Sequence, residues 1–534
     1  MTYGRGVKKL KSFNMKYRTL TLAGIFIVTV IIILNSFTIK GPVKANVATD
    51  DTGKELFTAY CSTCHMLPDP GSLTKVIWKN HVLPVMASRM GIIYPGYDPL
   101  RGLSDEEKAI VKKNNIIPEN PVLTNDEWAK LVNYILINAP DSVSLDTSRL
   151  TRNSPLKQFV REDIPLDTVH PSLITGLEYN NETNTLWISN FYNKVYNWQY
   201  GKGVTKTINT ESPVVDFNFY KGSTYFTEIG KLYPTELNLG SYAKYNDTSV
   251  TALLTSLHRP VHAEIEDLNN DGVPEIVVCN FGNKTGSLSL YKKNKAGKYE
   301  EQVLLPLAGA IKCYIKDMDG DGKKDIVAMF AQGEESVWIF YQKDNLKFKA
   351  KRVLRFPPNY GTTDMVLVDY NHDGLTDIVT VHGDNADYSN ILKSYHGIRL
   401  NINMGNDVFK EKFFYPIYGV TKVLAEDFDK DGDIDFAASA FFPENGKLLD
   451  ESFVYLENIN SDKFQFKPYI LKSDVPLKTL TLEKADIDGD GDMDIIAGNF
   501  AQSPGPVPKD LDIKWKNAKY GLTIFKNQLY QPKK

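Results

Sequence analysis

The sequence predicts a multidomain protein with an N-terminal transmembrane helix, a small all-α domain and an all-β, seven-bladed propeller. Three observations carry the prediction. Thr19 to Ile39 form 21 residues without a charge. Roughly residues 50–140 hold helix-type segments, two of which open on capping boxes. From residue 267 onward an acidic nonapeptide recurs five times, each copy followed by short apolar runs of strand type.

The chain of 534 residues is 42% hydrophobic and 24% charged, a globular composition large enough for more than one core. Its net charge is −3, yet residues 1–18 carry six basic residues and no acid, so the remainder stands at −9. That balance argues against nucleic-acid binding. Four cysteines, at 61, 64, 279 and 313, are too few for a disulfide framework.

The run 19–39 is long enough as a helix to cross a hydrocarbon core of about 30 Å. All basic residues of the leader (1–18) precede it, so the positive-inside rule keeps the leader in the cytoplasm and sends the bulk of the chain outward. A cleaved signal peptide ending near Val43-Lys-Ala45 is the competing reading. The apolar run exceeds the about 7 to 15 residues of such a peptide, which favours a retained membrane anchor.

Residues 61–65 read Cys-Ser-Thr-Cys-His, the arrangement of c-type haem attachment. Cys61 and Cys64 supply thioethers and His65 an axial imidazole, so haem c is the implied cofactor. A redox dithiol or half a zinc site would need no adjacent His, and no second close Cys pair completes a zinc site. For the second axial ligand the candidates are Met86 and Met90, in Leu83-Pro-Val-Met-Ala-Ser-Arg-Met90. Pro84 fixes the backbone before Met86, which favours it; either Met also suits a core position. His81 is a further possible ligand, beside Trp78.

A helix over Lys54–Tyr60 leads into the motif, and Ser104-Asp-Glu-Glu107 and Thr124-Asn-Asp-Glu127 start two more. Over residues 50–140 the chain resembles a small class I cytochrome c domain. The resemblance implies that the helix from Trp128 packs against the first helix. The chain departs from that pattern in having no Met between residue 91 and the last helix.

The repeated acidic loops are Asp267–Glu275, Asp317–Asp325, Asp369–Asp377, Asp427–Asp435 and Asp486–Asp494, with starts 50 to 59 residues apart. Position 1 is Asp267, Asp317, Asp369, Asp427 or Asp486, and position 3 is Asn269, Asp319, Asn371, Asp429 or Asp488. Asp271, Asp321, Asp373, Asp431 and Asp490 stand at position 5, and Glu275, Asp325, Asp377, Asp435 and Asp494 at position 9. Hard oxygens gathered around a Gly at position 6 suit calcium. An EF-hand would run on to a Glu at position 12, whereas here position 9 closes the loop and enters a strand. The alternative is a metal-free hairpin held by Asx turns.

Around each loop the pattern is strand, loop, and three more strands, which is the size of a propeller blade. These repeats resemble the FG-GAP or VCBS family, propeller blades found also in integrin α-subunits, over about residues 155–530. Two further blades, near 172–189 and 214–227, lack the acidic loop, which makes seven. The last blade stops one strand short, and Leu156–Arg161 resembles the missing outer strand, so that borrowing it closes the ring.

His262, Lys312, Asp364 and Lys422 each stand five residues before a loop's first Asp. They are expected to ring the channel mouth opposite the calcium loops, as a ligand pocket or as solvated polar lining. Long insertions at 384–397 and 503–520 are further candidates for function. Cys279 and Cys313 read as small buried hydrophobes. Nothing in the sequence has the form of a nucleophile–base pair, a phosphate loop or paired catalytic acids.

Three functions follow. The first is a membrane-anchored, exported electron carrier serving a redox partner protein or small-molecule donor, with the propeller as a docking scaffold. The second is an oxidoreductase whose propeller passes substrate electrons to the haem. The third is an adhesion module, for which a redox centre has no use.

Overall fold

The computed structural model describes residues 51–529 apart from 147, 150–153, 168 and 387–390. The leader and the apolar run 19–39 lie outside the described residues. Among the described residues no helix is long and apolar enough to cross a membrane.

Among the described residues seven sheets account for the β-structure, one per blade, all antiparallel except for the short parallel pairing of Ser154 and Pro155 at the edge of blade 6. In chain order the blades span 174–209, 214–257, 260–305, 310–355, 362–416, 420–470 and 479–527. The first strand of each blade packs on the first strands of both neighbours, and blade 7 packs on blade 1, so these seven strands line a closed ring. Second strands such as Glu275–Asn280, Asp325–Phe330 and Asp377–His382 are buried along their whole length. Covered on both faces by adjacent blades, they read as continuous apolar runs rather than alternating ones. Fourth strands such as Phe348–Arg355 carry the Lys and Arg that blunt an exposed edge.

The ring closes as expected, with a shift. Phe159–Pro165 pairs antiparallel with Tyr520–Asn527 and becomes the outer strand of blade 7. It begins three residues later than the sequence indicated because Ser154 and Pro155 pair with the outer strand of blade 6, and the Leu156 N–H donates to Ile470 O. One short segment therefore sutures two blades.

The helical part comprises α1 (Asp51–Cys61), α2 (Lys75–Ile77), α3 (Leu83–Arg89), α4 (Asp105–Lys113) and α5 (Asn125–Asn138). Both capping boxes form as read. A π-helical turn, Trp78–Val82, joins α2 to α3. Pro84 is its cause: lacking an N–H, it cannot continue the α-ladder, and the Leu83 N–H reaches back to Trp78 O instead. α1 crosses α5 at Gly53, where a Cβ would stand 2.7 Å from Lys130 O, and Phe57 meets Tyr134 at 5.4 Å between ring centres. Phe57, Trp78, Leu83, Ala87, Leu131 and Ile135 form the core between them.

These helices sit on the propeller face opposite the acidic loops. Thr235 and Glu236 of blade 2 bond to Glu107, while Tyr395 of blade 5 donates to Ser72 O at 3.3 Å. Ile391 of blade 5 joins the helical core itself. Blades 2 and 5 stand three apart in a ring of seven, so the helices span the channel mouth. Arg149, between the helices and the propeller, is buried, ion-paired with Glu451 and stacked over Tyr418 at 4.2 Å. The 503–520 insertion holds a sixth helix, α6 (Lys509–Ala518), which the sequence reading did not foresee.

Candidate functional site

The Cys-x-x-Cys-His motif starts at the last residue of α1. Cys61 is half-buried against the helical core, Cys64 is exposed and His65 is half-buried. Burial, then the neighbouring Cys64, pushes the Cys61 thiol up to about 12. His65 Nδ1 lies 2.9 Å from Met66 O. Donation to that carbonyl places the proton on Nδ1 and leaves the Nε2 lone pair free, the tautomer an axial imidazole requires.

Met86 lies in α3 and Met90 caps its end. Both are half-buried on the same apolar cluster as Cys61, together with Tyr60, Leu67 and Tyr94. Cysteine, imidazole-bearing turn and both thioethers thus border one core whose edge is lined by partly exposed apolar side chains. Two thiols, an imidazole and two thioethers are the donor types that a covalently attached haem uses. His81 is exposed within the π-helical turn.

The five acidic loops share one conformation. The Gly at position 6 has φ between +82° and +98° in every copy (Gly272, Gly322, Gly374, Gly432, Gly491), a region closed to other residues. The position 1 carboxylate accepts from that Gly N–H at 2.9 to 3.1 Å. Position 5 accepts from the N–H two residues on at 2.8 to 3.2 Å. These are the Asx-turn contacts of a hairpin, and each carboxylate retains further lone pairs. Carboxylate oxygens of Asp317, Asp319 and Asp325 lie within 4.8 Å of one another, as do those of Asp427, Asp429 and Asp435 and those of Asp486, Asp488 and Asp494. In the other two loops position 3 is Asn269 or Asn371, each donating to the position 5 Asp at 3.0 and 2.9 Å.

Position 9 does more than the spacing indicated. Asp325, Asp377 and Asp435 are fully buried and bridge two elements: one oxygen accepts from the position 2 N–H and the other from the blade's third strand. Burial raises Glu275, Asp435 and Asp494 to about 7 each, with nearby loop acids adding to the rise. Two loops also receive a lysine from outside the nonapeptide, Lys343 at 3.5 Å from Asp319 and Lys526 at 3.1 Å from Asp488.

The channel residues fall at one structural position. In all seven first strands the pairing slips between the first and third residues. The third residues are Gly176, Asp216, His262, Lys312, Asp364, Lys422 and Thr481. They are not a set of independent solvated side chains: Lys312 Nζ is 3.0 Å and Lys422 Nζ 3.7 Å from Asp364 Oδ1, and Asp364 is buried. Burial opposes the charge on Asp364, but the two lysines overcome it and hold the carboxyl below its usual range.

Between the adjacent first strands of blades 2 and 3, His262 Nε2 stands 3.9 Å from Asp216 Oδ1. Burial, then Lys312 and Lys422, drives the imidazole down to about 3, so it is neutral. Burial raises Asp216 to about 7 and Glu264 to about 8. Glu178 and Glu483 are raised by burial too, Glu178 also by the charge of Glu483. Asp216 escaped the sequence reading because blade 2 has no acidic loop to count back from; the common slip in strand register identifies it.

The FG-GAP-like repeat family matches residues 267–328 and 317–380. Among solved structures, the crystal structure of Saccharomyces cerevisiae Sqt1 is similar at 8% identity and a TM-score of 0.42, over 68% of this chain and 99% of that one. The structure of U3-55K aligns at 12% identity and a TM-score of 0.41, over 70% and 99%. The crystal structure of the RRP9 WD40 repeats aligns at 11% identity and a TM-score of 0.40, over 70% and 99%. No curated protein matches the chain. The residues that match the FG-GAP-like repeat run from the acidic loop of blade 3 to the second strand of blade 5 of this seven-bladed propeller.

Proposed function

We propose that the protein is an exported electron carrier: a membrane-anchored c-type cytochrome whose calcium-binding propeller serves as scaffold and docking surface. The observation that carries the reading is the motif 61–65 at the end of α1, bordering the apolar cluster that also holds Met86 and Met90. Haem c bound there supplies one-electron chemistry. Cys61 and Cys64 would tether it, and His65 through Nε2, with Nδ1 held by Met66 O, and Met86 or Met90 would hold its iron. A propeller of FG-GAP-like repeats is consistent with an interaction module, and the partner is a redox protein or small-molecule donor rather than a nucleic acid.

The anchor rests on the apolar run 19–39 and its basic flank. Calcium rests on the carboxylates gathered in the five loops. A second reading, a propeller oxidoreductase, draws on the channel: its mouth is spanned by the helices, and it holds buried acids beside a neutral His262. The test is a visible spectrum and a haem stain after denaturing electrophoresis, on protein from a host that matures c-type cytochromes. A covalent haem band, absent from a Cys61→Ala/Cys64→Ala chain, is expected. Colourless protein from that host overturns the redox reading. Haem reduction by a small substrate, lost on replacing His262 or Lys312, favours the oxidoreductase.

A further inference from the structure

Cys279 and Cys313 read from the sequence as inert small hydrophobes, yet they lie beside a histidine. His262 and Cys279 are directly opposed across the first two strands of blade 3, and Cys313 comes from the first strand of blade 4. A nitrogen of His262 and the two sulfurs all lie within 4.8 Å of one another. Both cysteines are free and fully buried, while His262 is half-buried on the channel wall.

The His262 ring is oriented for ligation. The Cys313 N–H points at Nδ1 from 3.5 Å and Cys313 Sγ lies 3.7 Å from the same nitrogen. Nδ1 therefore carries the lone pair, which accepts from the Cys313 N–H until a cation takes it over, and the ring proton sits on Nε2, 3.9 Å from Asp216 Oδ1. At that distance Asp216 is an electrostatic neighbour of the far nitrogen, beyond hydrogen-bond reach. The spacing also fits. Bonds of about 2.3 Å to sulfur and 2.1 Å to nitrogen give tetrahedral edges of about 3.6 to 3.8 Å, and the observed nitrogen–sulfur separation is 3.7 Å.

We propose that His262, Cys279 and Cys313 form a binding site for a thiophilic divalent cation of the zinc class, between blades 3 and 4 at the channel wall. Two thiolates and a neutral imidazole leave a divalent ion with no net charge, which suits a buried position. Binding displaces the two thiol protons to solvent. Three protein ligands leave a fourth position for water or a solute from the channel, the pattern of reactive rather than closed structural sites. The proposal depends on neither haem nor calcium.

The test uses the full chain carrying Cys61→Ser/Cys64→Ser, so that no other thiol competes, in saturating calcium. Zinc is added, excess is removed by dialysis, and bound metal is counted; cobalt(II) replaces zinc for spectroscopy. Expected are one retained zinc per chain and a thiolate-to-cobalt charge-transfer band, both lost in Cys279→Ser and Cys313→Ser. His262→Ala should weaken binding by about tenfold or more. If a serine variant does not fold, Cys279→Ala and His262→Ala carry the comparison. The site is overturned if the reference chain retains no more zinc than these variants and shows no band. An intact mass lighter by two hydrogens, with no thiols titrating after unfolding without reductant, also overturns it, since that reports a disulfide.

Discussion

Glu107 and Thr235 hold the helical domain to the propeller. The Thr235 hydroxyl donates to Glu107 Oε1 at 2.7 Å, and the Glu236 N–H donates to the same oxygen at 3.1 Å. Glu107 Oε2 meanwhile closes the capping box of α4, accepting from the Ser104 N–H and hydroxyl at 2.9 Å each. One carboxylate thus ends a helix and docks a domain, so helix formation and docking are coupled.

Removing the clasp while keeping the capping box separates the two roles. Thr235→Val leaves the capping box intact and deletes a hydrogen bond to a charged group, which costs about 1.5 to 3 kcal/mol, together with the Leu237 N–H donation to Thr235 Oγ1 at 3.1 Å inside blade 2. Protease accessibility of residues 51–140 is expected to rise while the propeller's melting is unchanged; equal destabilisation of both parts would refute the clasp.

Acid tests the same contact. The Thr235 hydrogen bond, opposed by burial and aided by Ser104 and Glu236, lowers the Glu107 carboxyl to about 2. A lowered carboxyl contributes stability that is present above its unfolded value and lost as pH falls through the folded one. Wild-type docking is therefore expected to weaken as pH drops toward 2, and Thr235→Val to lose docking at a higher pH.

Calcium removal should have a pH dependence of the opposite sign. Glu275, Asp435 and Asp494 are raised to about 7 by burial. In metal-free protein, groups raised in this way favour the fold at low pH and lose that contribution as pH rises through about 7. The melting temperature lost to EDTA is therefore expected to be larger at pH 8 than at pH 5. Calcium binding to the native state restores it. An EDTA effect that is absent, or larger at pH 5, would count against metal in the loops.

Much of this was legible because it was periodic. The five nonapeptides fixed the loops, the strands beside them and the blade spacing, since Gly at a position with φ near +90° has no substitute. What escaped detection depends on contacts between distant residues. Asp216 lacks a loop to mark it, the clasp joins residues 128 apart, and Pro84 shows its π-helical turn only once its neighbours are helical. Ser154 and Pro155 went to blade 6 because an unpaired strand edge was available there.

Gly53 offers a packing test of the helical domain. A Cβ at this residue would meet Lys130 O at 2.7 Å and Tyr134 Cβ at 3.0 Å, and neither backbone nor Cβ can turn aside. Gly53→Ala gains helix propensity of about 1 kcal/mol, yet overpacking of a tight crossing costs about 1 to 3 kcal/mol. Net destabilisation is expected, read as a lower urea midpoint for the helical domain. A more stable variant would mean that α1 and α5 do not cross so closely in solution.

The Asp364 triad in the channel sets two lysines on one carboxylate, and their distances decide how each responds. Lys312, at 3.0 Å, is held well above its usual range by Asp364 and Tyr314 against the effect of burial. Lys422, at 3.7 Å, is lowered, because burial and the charge of Lys312 outweigh the attraction of Asp364. Asp364→Asn removes the one carboxylate within 4 Å of both half-buried ammonium groups and leaves them only the more distant channel acids such as Asp216, and breaking a buried pair costs about 3 to 5 kcal/mol, an upper bound here. Lys422→Met removes the less favourably placed charge and leaves the Lys312–Asp364 pair intact, so its cost is expected to be much smaller. Denaturant midpoints of the two variants check the ranking; equal losses would show that the channel is open to water and screens both lysines alike.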